Sequence, residues 1–168
     1  MDKLLRFGRA VNPSQQGFTL TELMVTLSVL AIGLVIAVPS YSLMVATQRV
    51  RNVSAELVTA VMMARSEAVK QNTTATVSTT STWTSGWTVS AVTSTATTTI
   101  RTFGPYSGVS LTTSPSGTNT LSIGNDGRPT GGTVTFQVTP TGPGQSVSPI
   151  CVTVAGTGQV SQVSGACP

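Results

Sequence analysis

The chain has 168 residues, enough for one ordinary domain with an appendage, and only 8% of them are charged. Beyond position 17 it carries six cationic side chains against four acidic ones, so this part is only mildly basic. The sequence therefore lacks the dense cationic stripe that would neutralise nucleic-acid phosphates.

The first predicted element is a basic leader followed by an apolar segment. Lys3, Arg6 and Arg9 precede an apolar run over residues 18–38, which as a helix would extend ~31 Å and cross a bilayer core. Cations on the N-terminal side keep that end cytoplasmic. The pattern predicts one transmembrane helix over 18–38, with the rest of the chain on the outer face of the inner membrane.

A cleaved secretory signal also has a basic start and an apolar run. Here the run is long, Ser40-Tyr41-Ser42 is a weak approximation to a cleavage site, and Glu22 lies inside the run. An ionised carboxylate in a membrane helix costs about 3 kcal/mol on insertion scales. We therefore expect Glu22 to have a partner and a function.

The string from Gly17 to Gly33, G-F-T-L-T-E-L-M-V-T-L-S-V-L-A-I-G, closely resembles the class III signal of type IV pilins and type II secretion pseudopilins. The resemblance implies that a prepilin peptidase removes residues 1–17 by cleaving between Gly17 and Phe18, and that Phe18 is then N-methylated. It implies that Glu22 neutralises the N-terminal amine of a neighbouring subunit, and that Pro39 kinks the helix. The implied partners are other pilin or pseudopilin subunits, the prepilin peptidase, the inner-membrane assembly platform and the lipid bilayer.

Residues 39–72 continue the helix with an amphipathic pattern. Apolar residues recur at three- and four-residue steps and predict a stripe that packs on the rest of the chain: Ala46, Val50, Val53, Leu57, Val61, Ala64 and Ala68. Arg49 and Arg51 fit either a contact with lipid headgroups or a solvated helix face, and the solvated face is the simpler interpretation.

Residues 73–168 are rich in Ser and Thr and punctuated by Gly and Pro, which favours strands and turns. A disordered or O-glycosylated stalk has a similar composition, but apolar residues recur here at strand-like intervals. We predict an α+β fold, with the long helix packed on a β-sandwich-like head of about seven short antiparallel strands. The predicted strands are Thr74–Thr80, Trp87–Val92, Thr97–Phe103, Leu121–Gly124, Thr133–Thr139, Cys151–Ala155 and Gln159–Val163.

A second resemblance narrows the family. The run A-R-S-E-A-V-K-Q-N at 64–72, W-T-S-G-W at 83–87, G-N-D-G-R-P at 124–129 and the two cysteines resemble the GspH/FimT group of minor pilins and pseudopilins. The resemblance implies a two-sheet head. In such a head, Trp83 and Trp87 are expected to pack in the core rather than to bind a ligand.

Cys151 and Cys167 are the only cysteines. In an oxidising compartment they would form one disulfide, worth about 3 kcal/mol for a loop of this length. Two buried free thiols are the alternative, which requires a cytosolic location.

Three kinds of function compete. A structural role, helping to initiate or cap a pilus or pseudopilus, agrees best with the N-terminal segment. Some FimT-type members bind DNA for natural transformation through a G-R-x-R segment, but the matching stretch here has Gln159 and Ser161 in place of the arginines, so DNA is a weak partner prediction. With no histidine in the chain, the usual catalytic triad and mixed zinc site are excluded, and we predict no catalytic residue, cofactor or metal.

Overall fold

The computed structural model describes residues 17–92, 96–142 and 146–168. The chain divides into two compact units, one ending at Val38 and the other spanning Pro39–Pro168. The first helix, α1, covers Leu20–Lys70 and so contributes to both units. The sixteen residues before Gly17, which belong to the predicted leader, lie outside the described residues.

The head consists of strands that form two antiparallel four-stranded sheets, together with one 3-10 turn at Trp83–Ser85. The first sheet has the order β3-β2-β1-β5 and the second has the order β4-β6-β7-β8. This arrangement confirms the predicted α+β fold. The strands are β1 (Thr74–Ser78), β2 (Trp87–Val92), β3 (Thr97–Phe103), β4 (Val109–Ser114), β5 (Thr120–Ile123), β6 (Val134–Pro140), β7 (Ile150–Val154) and β8 (Val160–Ser164).

The prediction of about seven strands was one short, because it missed β4. This strand pairs with β6 from Val109↔Pro140 to Ser114↔Thr135. Its sequence, V-S-L-T-T-S, has only two strongly apolar residues, Val109 and Leu111, and both face the core. This V-S-L alternation is as short as that of β5, T-L-S-I, which was predicted, so the signal for β4 was present but weak.

The predicted apolar stripe of α1 is confirmed, because all seven of its residues are buried. The same face also buries Ala60 and Ser54. The Ser54 hydroxyl donates to the Val50 carbonyl at 2.7 Å and lies 3.2 Å from Gln162 Nε2, which donates to it. The stripe is made of Ala, Val and Ser with one Leu, and such small side chains let the helix lie close to the sheets.

The end of α1 is fixed by its C-terminal cap. Asn72 has φ 51°, the left-handed conformation that commonly follows a helix. The Thr73 N–H then donates to the Ala68 carbonyl at 3.0 Å, and the Asn72 N–H donates to the Val69 carbonyl at 3.3 Å. Asn125 Nδ2 donates to the Asn72 side-chain oxygen at 2.9 Å, which joins the cap to the loop after β5.

Aromatic side chains fill the space between the helix and the sheets. Trp83 meets Phe136 edge-on with ring centroids 4.8 Å apart, and its Nε1 donates to the Thr118 carbonyl at 2.7 Å. Trp87 stacks on Tyr106 at 4.8 Å. Both tryptophans are buried, which confirms the predicted packing role.

Tyr106 also links the loop after β3 to the helix, since its hydroxyl donates to the Glu56 carboxylate. Burial, and then the hydrogen bond to Glu56, raise the pKa of Tyr106 well above its ordinary value. The phenol therefore stays protonated and remains a donor to Glu56 throughout the physiological pH range.

The structure joins Cys151 to Cys167 by a disulfide, with the Cα atoms 5.0 Å apart. Cys151 lies in β7 beside Gln137 of β6, and the Cys167 N–H donates to Gln137 Oε1 at 3.1 Å. The chain end is therefore attached to the second sheet by one covalent bond and one hydrogen bond.

We expect Leu57→Ala to lower the free energy of unfolding of the head by about 2–5 kcal/mol, because a fully buried Leu side chain leaves a cavity that the two sheets cannot fill. Urea unfolding of the detergent-solubilised chain, followed by tryptophan fluorescence, measures this loss. Met62→Ala is the control, since Met62 is 57% exposed on the same helix. An equal effect of the two variants would contradict the packing described.

We expect Cys167→Ser to cost about 3 kcal/mol in the same unfolding measurement, because the bond closes a loop with a sequence separation of 16 residues. Non-reducing peptide mapping of protein from intact cells should recover the Cys151–Cys167 peptide pair. Two thiols that alkylate freely without reductant would contradict the disulfide.

Candidate functional site

The N-terminus of α1 is capped by Thr19. Its carbonyl accepts the Leu23 N–H at 3.1 Å, and its hydroxyl accepts the Glu22 N–H at 3.2 Å. The Thr19 side chain thus satisfies a backbone donor that a helix end otherwise leaves free. Thr19 was not among the predicted residues, although the spacing T-x-x-E, which is typical of a capping box, was an available signal.

Glu22 lies in the first turn of α1, where the helix dipole favours a negative charge. Within residues 17–92, 96–142 and 146–168, its carboxylate has no hydrogen bond or ion pair. The Glu22 side chain is exposed, so its charge is open to a group from outside the chain.

The helix around Glu22 presents a continuous apolar surface. Its hydroxyls are satisfied internally, as Thr26 donates to the Leu23 carbonyl at 2.9 Å and Ser28 donates to the Met24 carbonyl at 2.8 Å. Such a segment offers a surrounding medium almost no polar group apart from Glu22. Between residues 18 and 38, the large apolar side chains that the structure shows as more than half exposed are Phe18, Leu20, Leu23, Met24, Val25, Leu27, Val29, Leu30, Ile32, Leu34, Val35 and Val38.

Judged by length and apolarity alone, none of the described helices qualifies by itself as a membrane span, whereas the bent pair Leu20–Val35 and Ser40–Lys70 passes the same test together.

The other predicted residues of this segment are Gly17, Phe18 and Pro39. Gly17 and Phe18 are exposed and precede the helix. Pro39 falls in the break between the two helical segments of the bent pair. The roles assigned to these three residues in cleavage, methylation and kinking stay predictions.

The stretch matched to the DNA-binding motif lies at the turn between β7 and β8. Gly158 is buried there with φ +84°, and a Cβ at this position would lie 2.4 Å from the Gly127 carbonyl oxygen, so the turn requires glycine. The Gly158 carbonyl accepts a hydrogen bond from Arg65 Nη1 at 3.0 Å. Gln159 and Ser161 are both exposed beyond this turn. The Arg65 guanidinium is thus bound to the protein's own backbone.

The features above define a class of protein: a two-sheet head that is built on a helix whose N-terminal part is apolar and exposed. The family model for the type II transport protein GspH matches residues 54–158. The chain therefore belongs to the GspH family, and it is a minor pilin or pseudopilin. A model of the prokaryotic N-terminal methylation motif matches residues 12–38.

Solved structures share this fold. The type IV minor pilin FimU of Pseudomonas aeruginosa is 16% identical with a TM-score of 0.56, over 67% of this chain and 91% of FimU. The minor pseudopilin EpsH from the Type 2 Secretion System of Vibrio cholerae is 15% identical with a TM-score of 0.55, over 69% of this chain and 97% of EpsH. A search of curated protein sequences found no match.

We expect the wild-type chain to bind duplex DNA only weakly, and Gln159→Arg with Ser161→Arg to strengthen binding. Each arginine that reaches a phosphate should steepen the slope of log K against log salt by about 0.9. Fluorescence anisotropy across a salt series measures both quantities.

The charge-matched control is Thr112→Arg with Ser114→Arg, since β4 lies at the opposite edge of the same sheet from β8. If wild type binds DNA as tightly as the Gln159→Arg, Ser161→Arg variant, and with the same salt dependence, then the missing arginines do not limit DNA binding.

Proposed function

We propose that this minor pilin or pseudopilin is made as a precursor whose residues 1–17 are removed by a prepilin peptidase, and that Phe18 is then N-methylated. Residues 18–38 span the inner membrane with the N-terminus cytoplasmic. Residues 39–72 lead out of the membrane, and residues 73–168 form a periplasmic head. The match of the methylation motif to residues 12–38 supports this proposal, because it includes Gly17, Phe18 and Glu22.

The mature subunit enters a filament and helps to initiate or cap its assembly, either in a type IV pilus or in a type II secretion pseudopilus. The observation that carries this proposal is the uncovered apolar surface over residues 18–38. In the membrane, lipid covers this surface, and in a filament the helices of other pilin or pseudopilin subunits cover it. The assembly platform of the inner membrane is the partner that transfers the helix between these two environments.

Glu22 directs this assembly by pairing with the amine of Phe18 in a neighbouring subunit. A buried carboxylate and a buried ammonium are each costly alone and much less costly as a pair. Glu22 follows Phe18 by one helical turn, or about 6 Å of rise. Two helices that are staggered by that rise bring one subunit's carboxylate beside the other's amine, so the pair sets the register between subunits.

The role is structural rather than enzymatic. With no histidine in the sequence, a serine has no imidazole to act as its base. Lys70 is the only lysine after the leader, and its ammonium lies 3.6 Å from the Glu67 carboxylate.

Processing is the first test of this proposal. Protein extracted from the membrane should have the intact mass of a chain that starts at Phe18, with one added methyl group and two fewer hydrogens for the disulfide. Gly17→Glu should leave the precursor uncut, since a bulky charged residue replaces the small residue beside the cleaved bond. A chain that starts at Met1, or anywhere after Val38, would rule out the proposed maturation.

Glu22 is the second test. We expect Glu22→Ala and Glu22→Gln to be cleaved and inserted normally, yet to fall at least about tenfold in sheared filaments, because breaking a buried ion pair costs several kcal/mol. The quantity measured is the ratio of filament to membrane protein. Thr26→Ala is the control, since the Thr26 hydroxyl bonds only within its own helix. Normal incorporation of Glu22→Gln would disprove the pairing role.

A further inference from the structure

The order of residues along α1 gives the helix a defined depth in a membrane. Residues 23–48 contain no charged side chain, and the first charges beyond them are Arg49 and Arg51. Arg49 follows Phe18 by 31 positions, which is roughly 46 Å of helix at ~1.5 Å per residue. A bilayer with its headgroups is about 40–45 Å thick. Counted along the chain, this helical length is enough for Arg49 and Arg51 to reach the outer headgroups when Phe18 lies at the inner boundary.

An aromatic residue marks the same boundary. Tyr41 is 69% exposed and lies roughly 35 Å along the helix from Phe18, where the hydrocarbon core gives way to headgroups. Tyrosine is enriched at this level of membranes because its ring is apolar and its hydroxyl is polar. The helix therefore places an aromatic residue, Tyr41, before two arginines, which is the order in which residues anchor a helix from the hydrocarbon core outward to the lipid phosphates.

Neither arginine is neutralised by the protein. Among the described residues, the guanidinium groups of Arg49 and Arg51 have no carboxylate within ion-pair distance and no hydrogen-bond acceptor. The next acid along the helix, Glu56, accepts the Tyr106 hydroxyl. By contrast, Arg65 donates to the Gly158 carbonyl, and Arg101 lies 4.8 Å from the centroid of the Phe103 ring.

The fold also holds Arg49 in place. Gly108, in the loop before β4, has no side chain, and a Cβ there would lie 2.4 Å from Arg49 Nη1. The guanidinium therefore lies directly against this loop. Side chains on a helix tilt toward its N-terminus, which for Arg49 and Arg51 is the end of the helix that leads back to the apolar segment.

We propose that Arg49 and Arg51 bind the phosphates of anionic lipids at the outer surface of the inner membrane while the subunit awaits assembly. This proposal rests on the membrane insertion proposed above. The two guanidinium groups match the charge of phosphodiesters, and together with Tyr41 they limit how far the helix slides along its axis. They hold the head at the membrane surface until a filament withdraws the helix.

The test uses mature protein reconstituted into phosphatidylcholine vesicles that contain either spin-labelled phosphatidylglycerol or spin-labelled phosphatidylcholine. The fraction of motionally restricted lipid gives the relative association constant of the two lipids. We expect wild type to prefer phosphatidylglycerol by about fivefold in low salt, the effect of one surface arginine in an anionic leaflet. The preference should disappear in Arg49→Gln, Arg51→Gln and in high salt.

Arg128→Gln is the matched control. Arg128 is exposed in the loop after β5, and within the described part of the chain its guanidinium also lacks a carboxylate partner. This variant should keep the wild-type preference. A double variant that selects phosphatidylglycerol as strongly as wild type overturns the proposal. If Arg128→Gln loses the preference for phosphatidylglycerol as fully as the double variant does, the proposal is also overturned, because that result would indicate a general effect of charge.

Flotation of the vesicles separates this proposal from the proposed function. If wild type fails to float with the vesicles, membrane insertion is wrong and the lipid contact falls with it. If the protein floats without any lipid preference, only the lipid contact is overturned. A double variant that loses filament incorporation but shows wild-type lipid selectivity would instead assign the arginines to a carboxylate of a neighbouring subunit.

Discussion

The structure depends on a single helix whose apolar surface continues beyond the part that the head covers. In α1, the stripe from Ala46 to Ala68 is buried. Each Å² of apolar surface removed from water contributes ~25 cal/mol, and this burial holds the helix on the sheets. The side chains over residues 18–38 are apolar too, yet they stay exposed. Water is a poor solvent for such a surface, and we propose that lipid or the helices of other subunits cover it.

The head carries few charges, namely Arg101, Asp126 and Arg128. The outward positions of the first sheet carry hydroxyls, as in the row Ser78, Thr88 and Thr102, where the two threonine oxygens lie 3.4 Å apart. The charges that do occur on the helix are mostly used within the fold, as in the Glu56–Tyr106 bond. Among the described residues, Glu22, Arg49 and Arg51 have no charged partner; Glu22 precedes the buried stripe, whereas Arg49 and Arg51 lie within its range on the exposed face of α1.

The features that could be predicted from the sequence are those that depend on periodicity or on a strong local motif. The seven apolar positions of α1, the buried tryptophans and seven of the eight strands follow from such signals. Strand β4 was missed, although its V-S-L alternation is a signal as strong as the T-L-S-I of β5; its pairing with β6 is the long-range contact that no local pattern encodes. The bond between Arg65 and Gly158 links residues 93 positions apart, and no local pattern encodes such a contact. Thr19 could have been predicted as the helix cap from the T-x-x-E spacing. It was missed because the spacing lies within an apolar run that was interpreted as a membrane segment.

In the assembled state, other subunits are proposed to cover the apolar half of α1. A photo-crosslinking amino acid at Val29 tests this directly, because Val29 is exposed in the middle of residues 18–38. In sheared filaments we predict a covalent adduct between this chain and another pilin or pseudopilin subunit, which mass spectrometry identifies. Filaments that contain the chain but yield only lipid adducts from Val29 would contradict the account.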